Sequence, residues 1–314
     1  MSDLYDIIII GAGAAGMTAG VYGVRAGKKV LVLEGKTYGG QIINTAKIEN
    51  YPATAHISGI DFAKRLYEQA KELGVKFSFE EVSDCAVYDG KKVEGELEKP
   101  IYLVKTDEGE YLTKTLIFAN GSIERKLNLP NEEEFVGKGI SYCATCDGGF
   151  FKDKIVAING GGNTAFWDAL YLSNVAKKVY VIHRRNEFRA DNSLVEKVSK
   201  CKNVEYILNS EIVGLRGKKK LEKLIVVDKT TKRESDLSID GLFVAIGRVP
   251  NNKYFKGFVN LDKEGYIDSN EDCITSRKGV FCAGDTRKKK LNQLVTATAD
   301  GAIAATGAIE YLNN

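Results

Sequence analysis

The sequence predicts an α/β protein built from two dinucleotide-binding domains, and three observations support this prediction. A buried strand runs into a G-x-G-x-x-G turn near the N-terminus, at residues 5–16. The same strand, turn, helix and strand pattern returns 149 residues later. The chain has 314 residues, which is enough for two domains of ordinary size. Its 44% apolar and 28% charged residues are typical of a folded, soluble protein.

The first pattern, "YDIIIIGAGAAG", has its glycines at Gly11, Gly13 and Gly16. Such glycines permit a tight turn and let the backbone approach a pyrophosphate at the positive end of the following helix. The second strand, within "AGKKVLVLEG", ends at Glu34, which follows Gly11 by 23 residues. A carboxylate at that place accepts hydrogen bonds from ribose hydroxyls. This Rossmann-like unit is therefore predicted to bind FAD or NAD.

The second pattern, "KIVAINGGGNTA" followed by "AKKVYVIHRR", aligns with the first over the whole unit. His183 falls on Glu34, and the segment "HRRNEFR" brings three arginines, Arg184, Arg185 and Arg189, to the same place. A 2'-phosphate carries about −1.5 to −2 charges and suits the planar fork of arginine. The second unit is therefore predicted to bind NADP, with a solvated basic corner as the alternative.

Two later segments, "DGLFVAIGRVPNN" and "KGVFCAGDTR", are predicted strands that end in Gly or Gly-Asp. Ligands of parallel sheets lie beyond the carboxyl ends of the strands, so Asp285 is expected to reach a cofactor. The helix predicted over residues 294–312 is rich in small residues, which allow close packing.

The segment "YCATCDGG" contains Cys143 and Cys146 directly before the second nucleotide unit. A C-x-x-C pair can belong to a zinc site, a structural disulfide or a redox dithiol. With two histidines and no second C-x-x-C pair, a zinc site lacks its remaining ligands, so we expect no metal. The location beside a nicotinamide unit favours redox chemistry. Asp147 is either an acid that protonates a leaving thiolate or the flavin, or a cap of the helix or turn that follows.

The formal charge of +3 excludes no class of protein but gives no support for nucleic-acid binding. We expect the basic runs at 217–223 and 287–290 to be solvated faces. The N-terminal segment contains neither a signal peptide nor a membrane span, so a cytoplasmic protein without membrane contact is expected. The remaining cysteines are scattered singly, as in a reducing compartment.

Several motifs together resemble the bacterial low-molecular-weight thioredoxin reductases over essentially the whole chain. They are "GGQ" (39–41), "IENYP" (48–52), "SYCATCDG" (141–148), "GGGNTA", "HRRNEFRA", "DGLFVAIGRVPN" and "GVFCAGD". The C-A-T-C-D-G segment, flanked by both nucleotide loops in this order, is highly specific.

The resemblance implies a homodimer that reduces thioredoxin or a similar small dithiol protein with NADPH. It implies that the second domain is inserted in the first: an FAD domain formed by 1–118 and 248–314, and an NADPH domain formed by 119–247. In this family the NADPH domain rotates, presenting first the nicotinamide and then the dithiol to the flavin. Cys143 would exchange with thioredoxin, Cys146 would face the flavin, and Asp147 would be the acid.

The resemblance also implies the cofactor contacts. FAD would bind at Gly11, Gly13, Ala15, Gly16, Glu34, Gly35, Gly40, Gln41, Asn50, Asp285 and Gln293. NADPH would bind at Gly162, Asn163, Thr164, His183, Arg184, Arg185 and Arg189.

The chain departs from the family pattern at three places. Trp167 and Asp168 stand where two acidic residues are usual, Asn292 replaces an arginine near the flavin, and Ala53 replaces a glycine. We expect the Trp167 ring to pack against a neighbouring element and leave the diphosphate contacts open. The first two departures concern the electron donor and the tuning of the flavin. Two alternatives stay open: a ferredoxin-linked reductase of the same fold, and a nucleotide-binding redox sensor without turnover.

Overall fold

The computed structural model describes residues 4–45, 47–54, 56–89 and 99–314. The chain divides into a first unit, Met1–Ile123 with Val249–Asn314, and a second unit, Glu124–Arg248. That the first unit holds FAD and the second NADPH stays a prediction. In the described ranges, no helix is both long and apolar enough to cross a membrane.

The first unit begins with the predicted strand, turn and helix. Its elements up to the crossing into the second unit are β1 (Leu4–Ile10), α1 (Ala14–Arg25), β2 (Val30–Leu33), α2 (Gly59–Glu72), β3 (Lys76–Ser78), β4 (Val82–Val87), β5 (Tyr102–Thr106), β6 (Glu110–Phe118) and β7 (Ser122–Glu124). The run Ile7–Ile10 is fully apolar and buried because β1 lies in the middle of a sheet that is covered on both faces.

The second unit repeats this plan with a further antiparallel sheet. Its elements are α3 (Glu132–Phe135), β8 (Ile140–Ser141), α4 (Ala144–Asp147), β9 (Ile155–Asn159), α5 (Asn163–Ser173), β10 (Lys178–Ile182), α6 (Asn192–Ser199), β11 (Val204–Ile207), β12 (Ser210–Arg216), β13 (Lys223–Asp228), β14 (Glu234–Ser238) and β15 (Gly241–Val244). The chain leaves it through β16 (Arg248–Pro250) and ends with β17 (Val280–Cys282) and α7 (Leu294–Asn313).

The sheet of the first unit has the order β3-β2-β1-β6-β5-β4, and β17 pairs with β6 as well. Strands β3, β2, β1, β6 and β17 are parallel, whereas β4 and β5 form an antiparallel edge. The second unit has a parallel sheet of order β11-β10-β9-β15-β8 and the antiparallel sheet β12-β13-β14. The chain crosses between the units in β7 and β16, which form a two-stranded sheet of their own.

The predicted internal repeat is confirmed at the level of element boundaries. The end of β9, the start of α5 and the end of β10 each follow their counterparts β1, α1 and β2 by 149 residues. The small residues of α7 allow close packing against α1, as expected: a Cβ at Gly301 would lie 2.2 Å from the carbonyl oxygen of Ala15. This contact brings the C-terminal helix against the first glycine loop.

Candidate active site

The first glycine loop is closed on one side and open on the other. Gly11 has a φ of +107°, and a Cβ there would lie 2.4 Å from the carbonyl oxygen of Ala119, so a side chain does not fit. At Gly13, which precedes α1, a Cβ would meet nothing nearer than the Cα of Gly40, at 4.0 Å. No side chain caps α1. The open side therefore offers amide groups at a helix N-terminus to an anionic ligand.

Glu34 follows β2 and holds this loop in shape. Its Oε2 accepts a hydrogen bond from the amide of Ala12 at 2.8 Å, and its Oε1 accepts one from the amide of Lys36 at 3.2 Å. Each carboxylate oxygen can accept more than one hydrogen bond. Glu34 can therefore shape the loop and still accept from a ribose hydroxyl, and its neighbour Gly35 packs against Glu81.

Two further predicted residues of the first unit, Asn50 and Gln293, meet at the start of α7, and a third, Gln41, lies at β7. Asn50 donates to Oε1 of Gln293 at 2.8 Å, although 243 residues separate them. Gln293 also forms a capping box with Thr296 at the start of α7. Gln41 lies in a 3-10 turn over Gly40–Asn44, and its amide nitrogen is 3.4 Å from the carbonyl oxygen of Ser122.

Asp285 lies in the turn after β17. The preceding residue, Gly284, packs on the start of α1, because a Cβ there would lie 2.9 Å from the Cβ of Ala15. The Oδ1 atom of Asp285 is buried and has no hydrogen-bond partner among the described residues. The Asp285 side chain as a whole is 29% exposed, so its carboxylate can still accept a hydrogen bond from a ligand hydroxyl.

The second glycine loop is open on the same side as the first, but its other side packs against a different residue, His183. A Cβ at Gly162, which precedes α5, would meet no atom within 4 Å. A Cβ at Gly161 would lie 2.4 Å from the ring of His183. His183 is buried, and its Nε2 lies 3.1 Å from the carbonyl oxygen of Glu187. Burial lowers the pKa of His183, which keeps the ring neutral. His183, which is predicted to contact NADPH, thus lies beneath the loop with its ring against Gly161.

The three predicted arginines are exposed beside this loop. Arg184 and Arg185 directly follow His183, and the amide of Arg189 donates to the carbonyl oxygen of Gly161 at 2.7 Å. This hydrogen bond holds the arginine segment against the glycine loop. Positive charge therefore lies next to the open side of the second loop, where a phosphate on a bound nucleotide would be attracted.

Asn163 and Thr164 open α5, and Asn163 already has a partner. Its Oδ1 accepts from the amide of Asp191 at 2.7 Å, and its Nδ2 donates to Oδ2 of Asp191 at 3.0 Å. Asn163 therefore ties the loop to the start of α6. Thr164 is exposed. Sequence reasoning did not identify Asp191, because a partner 28 residues away leaves no local signal.

Cys143 and Cys146 form a disulfide at the short helix α4. The Sγ atom of Cys143 accepts from the amide of Cys146 at 3.2 Å. Cys146 is exposed and Cys143 is half-buried. The described residues contain no group of three or more His, Cys, Asp or Glu side chains that could hold a metal ion. The assignment of Cys143 to the partner and Cys146 to the flavin stays a prediction.

Asp147 is held by Ser141, a residue to which the sequence analysis gave no role. The Ser141 hydroxyl donates to Oδ2 of Asp147 at 2.7 Å and accepts from the amide of Cys143 at 3.0 Å. Ser141 therefore couples the orientation of the carboxylate to the backbone of the disulfide. In the sequence, the only local indication of this role is that Ser141 lies two residues before Cys143.

Tyr142 anchors the strand that leads to the disulfide. Its hydroxyl donates to Oε1 of the buried Glu132 at 2.7 Å, and Glu132 also accepts from the amides of Leu127 and Asn128. Burial and the hydrogen bond to Glu132 raise the pKa of Tyr142, which keeps it a donor. The residue directly before the disulfide is thus tied by its side chain to a buried glutamate.

The residues that depart from the family pattern are placed in different environments. Trp167 is 54% exposed, so the expectation that its ring packs against a neighbouring element is wrong. Asp168 is half-buried, and burial raises its pKa to about 7. Asn292 is exposed, directly before Gln293.

The chain matches known proteins over almost its whole length. A family model described as pyridine nucleotide-disulphide oxidoreductase matches residues 5–301. A thioredoxin reductase of Peptoclostridium acidaminophilum is 42% identical over 99% of this chain and 98% of its own. A thioredoxin reductase of Bacillus subtilis is 38% identical over 98% and 95%.

A solved structure agrees with these matches. The crystal structure of Lactococcus lactis thioredoxin reductase in its FR conformation superimposes with a TM-score of 0.91, at 33% identity, over 98% of this chain and 99% of that one. The duplicated glycine loops and the disulfide beside the second loop are thus accompanied by similarity along the whole chain. The chain belongs to the pyridine nucleotide-disulphide oxidoreductase family, in the group of the thioredoxin reductases.

Proposed function

We propose that this protein is an NADPH-dependent thioredoxin-disulfide reductase. In this proposal electrons pass from NADPH through FAD to the Cys143–Cys146 disulfide and from there to oxidised thioredoxin. The observation that carries it is the disulfide itself, which lies at the short helix α4 in the same unit as the second glycine loop. Relatives named thioredoxin reductase, at 38–42% identity, support thioredoxin as the partner.

The residues of the first unit fit FAD. The open side of Gly13 leaves room for a diphosphate, Glu34 lies where a ribose would bind, and the partly exposed carboxylate of Asp285 can accept from a hydroxyl of the cofactor. Bound FAD would accept a hydride from the nicotinamide and deliver two electrons to the disulfide. The residues that would hold it are Gly11, Gly13, Ala15, Gly16, Glu34, Gly35, Gly40, Gln41, Asn50, Asp285 and Gln293.

The residues of the second unit fit a dinucleotide with a 2'-phosphate. Arg184 and Arg185 are exposed and follow the position where the first unit has a carboxylate. We assign them to the phosphate, with Arg189 beside them, and we assign Gly162, Asn163 and Thr164 to the diphosphate. His183 contributes by supporting Gly161 from below, since its ring is buried and neutral.

The reduced dithiol would act by thiol–disulfide exchange. The thiolate of Cys143 attacks one sulfur of the thioredoxin disulfide, forming a mixed disulfide and releasing the other thioredoxin sulfur as a thiolate. The thiolate of Cys146 then attacks Cys143, which restores the disulfide and releases the second thioredoxin sulfur. Two electrons move, and each released thiolate takes one proton. Because Ser141 holds Oδ2 of Asp147, we assign the proton transfer to Oδ1.

The proposal includes a homodimer located in the cytoplasm. Unpaired thiols support a reducing compartment, and in this structure the free cysteines are Cys85, Cys201, Cys273 and Cys282. The buried thiols of Cys273 and Cys282 have pKa values raised to about 12 and about 11 by burial, which makes them poor nucleophiles. They are therefore structural residues in this proposal and not a second dithiol.

A steady-state assay of NADPH oxidation tests the proposed function. We expect the FAD-loaded protein to consume NADPH continuously only when oxidised thioredoxin is present. If reduced ferredoxin supports thioredoxin reduction and NADPH does not, the protein is a ferredoxin-linked reductase of the same fold. If NADPH reduces the protein once and thioredoxin causes no turnover, it is a redox sensor. Either of these two results contradicts the proposal.

A further inference from the structure

The basic run at 287–290 is not the solvated face that its composition predicts. The side chains of Arg287 and Lys289 are 4% and 6% exposed, whereas that of Lys288 is 68% exposed. The side chains of Arg287 and Lys289 thus lie in the interior of the first unit, shortly after the turn that contains Asp285. Two cations in the interior require carboxylate partners.

Asp300, on α7, is the centre of this buried cluster. Its Oδ2 accepts from Nε of Arg287 at 3.0 Å, from Nζ of Lys289 at 3.1 Å and from the amide of Gly284 at 3.0 Å. Its Oδ1 accepts from Nη2 of Arg287 at 3.1 Å. The contact with Arg287 is bidentate, the strong geometry for such a pair. Asp300 therefore fixes the backbone immediately before Asp285.

Lys289 connects this cluster to Asp285. Its Nζ lies 3.6 Å from Oδ1 of Asp285, which is too far for a hydrogen bond but close enough for a strong interaction between charges. The same Oδ1 is the buried oxygen without a hydrogen-bond partner among the described residues. Lys289 thus lies on the covered side of the Asp285 carboxylate, while the Asp285 side chain as a whole stays 29% exposed and open to another donor.

The two cations of the cluster, Arg287 and Lys289, differ in the groups that they contact. Arg287 is occupied by Asp300, by Ser269 and by backbone carbonyl oxygens. Lys289 is shared between Asp300 and Asp285. Two carboxylates and two cations leave the cluster neutral, so removal of Lys289 leaves an uncompensated negative charge next to the site of an anionic ligand.

We propose that Lys289 and Asp300 are positioning residues for the flavin cofactor, holding the Asp285 carboxylate in place as an acceptor for a hydroxyl of the FAD polyol chain. Asp300 sets the backbone of the turn through Gly284, and Lys289 sets the position of the Asp285 carboxylate. This inference rests on the proposed function, because it requires FAD in the first unit. The competing role is a buried ion cluster that stabilises the fold and does not act through Asp285.

A double-mutant cycle between Lys289 and Asp285 separates the two roles. The dissociation constant of FAD is measured with apoprotein by the quenching of FAD fluorescence, and the thermal unfolding midpoint of each apoprotein is recorded in parallel. The proteins are wild type, Lys289→Met, Asp285→Asn, the double variant, and Lys290→Met as a matched control at an exposed position.

We expect Lys289→Met to weaken FAD binding by roughly ten- to a hundredfold, the range for a hydrogen bond to a charged group. In the Asp285→Asn background the same change is expected to weaken FAD binding by less than about threefold, because Lys289 acts through that carboxylate. Lys290→Met is expected to leave the dissociation constant unchanged. Lys289→Arg, which keeps the charge, is expected to restore most of the affinity.

Equal losses for Lys289→Met in both backgrounds overturn the inference, as does an unchanged dissociation constant despite a lower unfolding midpoint. If Lys289→Met does not fold, Lys289→Gln takes its place in the cycle with the same two criteria. Failure of the wild-type protein to bind FAD contradicts the proposed function itself, and the inference falls with it.

Discussion

The two nucleotide loops of this protein share one backbone plan and differ in the residues at the end of their second strand. In the first unit, the carboxylate of Glu34 accepts a hydrogen bond from the loop amide of Ala12. In the second unit, the equivalent residue His183 is buried under Gly161, and exposed arginines come directly after it. The two units thus share the glycine turn and differ in the residue that follows their second strand, and this difference is the basis for the different ligands predicted for them.

The units also differ in their reactive groups, since the disulfide belongs to the second unit. We expect Cys143→Ser and Cys146→Ser each to abolish thioredoxin reduction, the largest effect of any substitution considered. Both variants should still allow NADPH to bleach the flavin, because hydride transfer precedes the dithiol step. Cys201→Ser, in the same unit, is the control and should retain activity. Thioredoxin turnover in either dithiol variant contradicts the assignment.

The arginines that distinguish the second loop give the next largest effect. Arg184→Gln and Arg185→Gln should each raise the Michaelis constant for NADPH by about tenfold or more, because a charged hydrogen bond contributes roughly 1.5–3 kcal/mol. The constant for NADH, which lacks the 2'-phosphate, should change far less. Arg216→Gln, at an exposed position of β12, is the control. Equal increases in the Michaelis constants for NADPH and NADH show that these arginines do not bind the 2'-phosphate.

One position on the helix after each loop sharpens the comparison, because Asp168 is the counterpart of the fully buried Ala19. Burial raises the pKa of Asp168 to about 7, above its ordinary value. The stability that the protonated carboxyl provides is therefore fully present below about pH 4, the ordinary pKa of an aspartate, and is lost progressively as the pH rises from there through 7. Asp168→Asn should stabilise the second unit by roughly 2 kcal/mol more at pH 8 than at pH 5.

The single tryptophan, Trp167, lies in the same helix and reports on that unit. Urea unfolding followed by its fluorescence at pH 5, 6, 7 and 8 measures this difference. Glu187→Gln, at an exposed position of the second unit, is the control. A gain in stability that does not depend on pH contradicts the titration of Asp168.

Trp167 itself should have the smallest effect. Its counterpart in the first unit is Thr18, and Trp167 is 54% exposed on α5, outside the glycine loop. Trp167→Glu should change the Michaelis constant for NADPH by less than about tenfold, or roughly 1.4 kcal/mol. Trp167→Phe is the matched variant that keeps an aromatic ring. If the wild type is not reduced by NADPH and the Glu variant is, Trp167 blocks the site and a ferredoxin donor is favoured.

The two loops and their strands could be predicted from the sequence because their signals are local. The apolar strand, the glycine spacing and the small residues of the helix lie within about 30 residues, and the repeat confirms each copy by the other. The C-x-x-C pair is local as well. These features need no knowledge of which residues meet across the fold.

The remaining contacts could not be predicted because they join distant residues. Asn50 meets Gln293, and Asn163 meets Asp191. The basic run at 287–290 gave no sign that alternate residues turn inward onto Asp300. The ring of Trp167 was expected to be covered, since helix register identifies a face but not whether another element covers it.

The central claim is that electrons pass from NADPH through the flavin to the Cys143–Cys146 disulfide. An anaerobic titration of the FAD-loaded protein with NADPH tests this claim most directly. Flavin and disulfide each accept two electrons, so full reduction of the wild type should require about two equivalents of NADPH per chain. The double variant Cys143→Ser/Cys146→Ser should require about one. Equal requirements for both proteins, or no bleaching of the flavin by NADPH, contradict the claim.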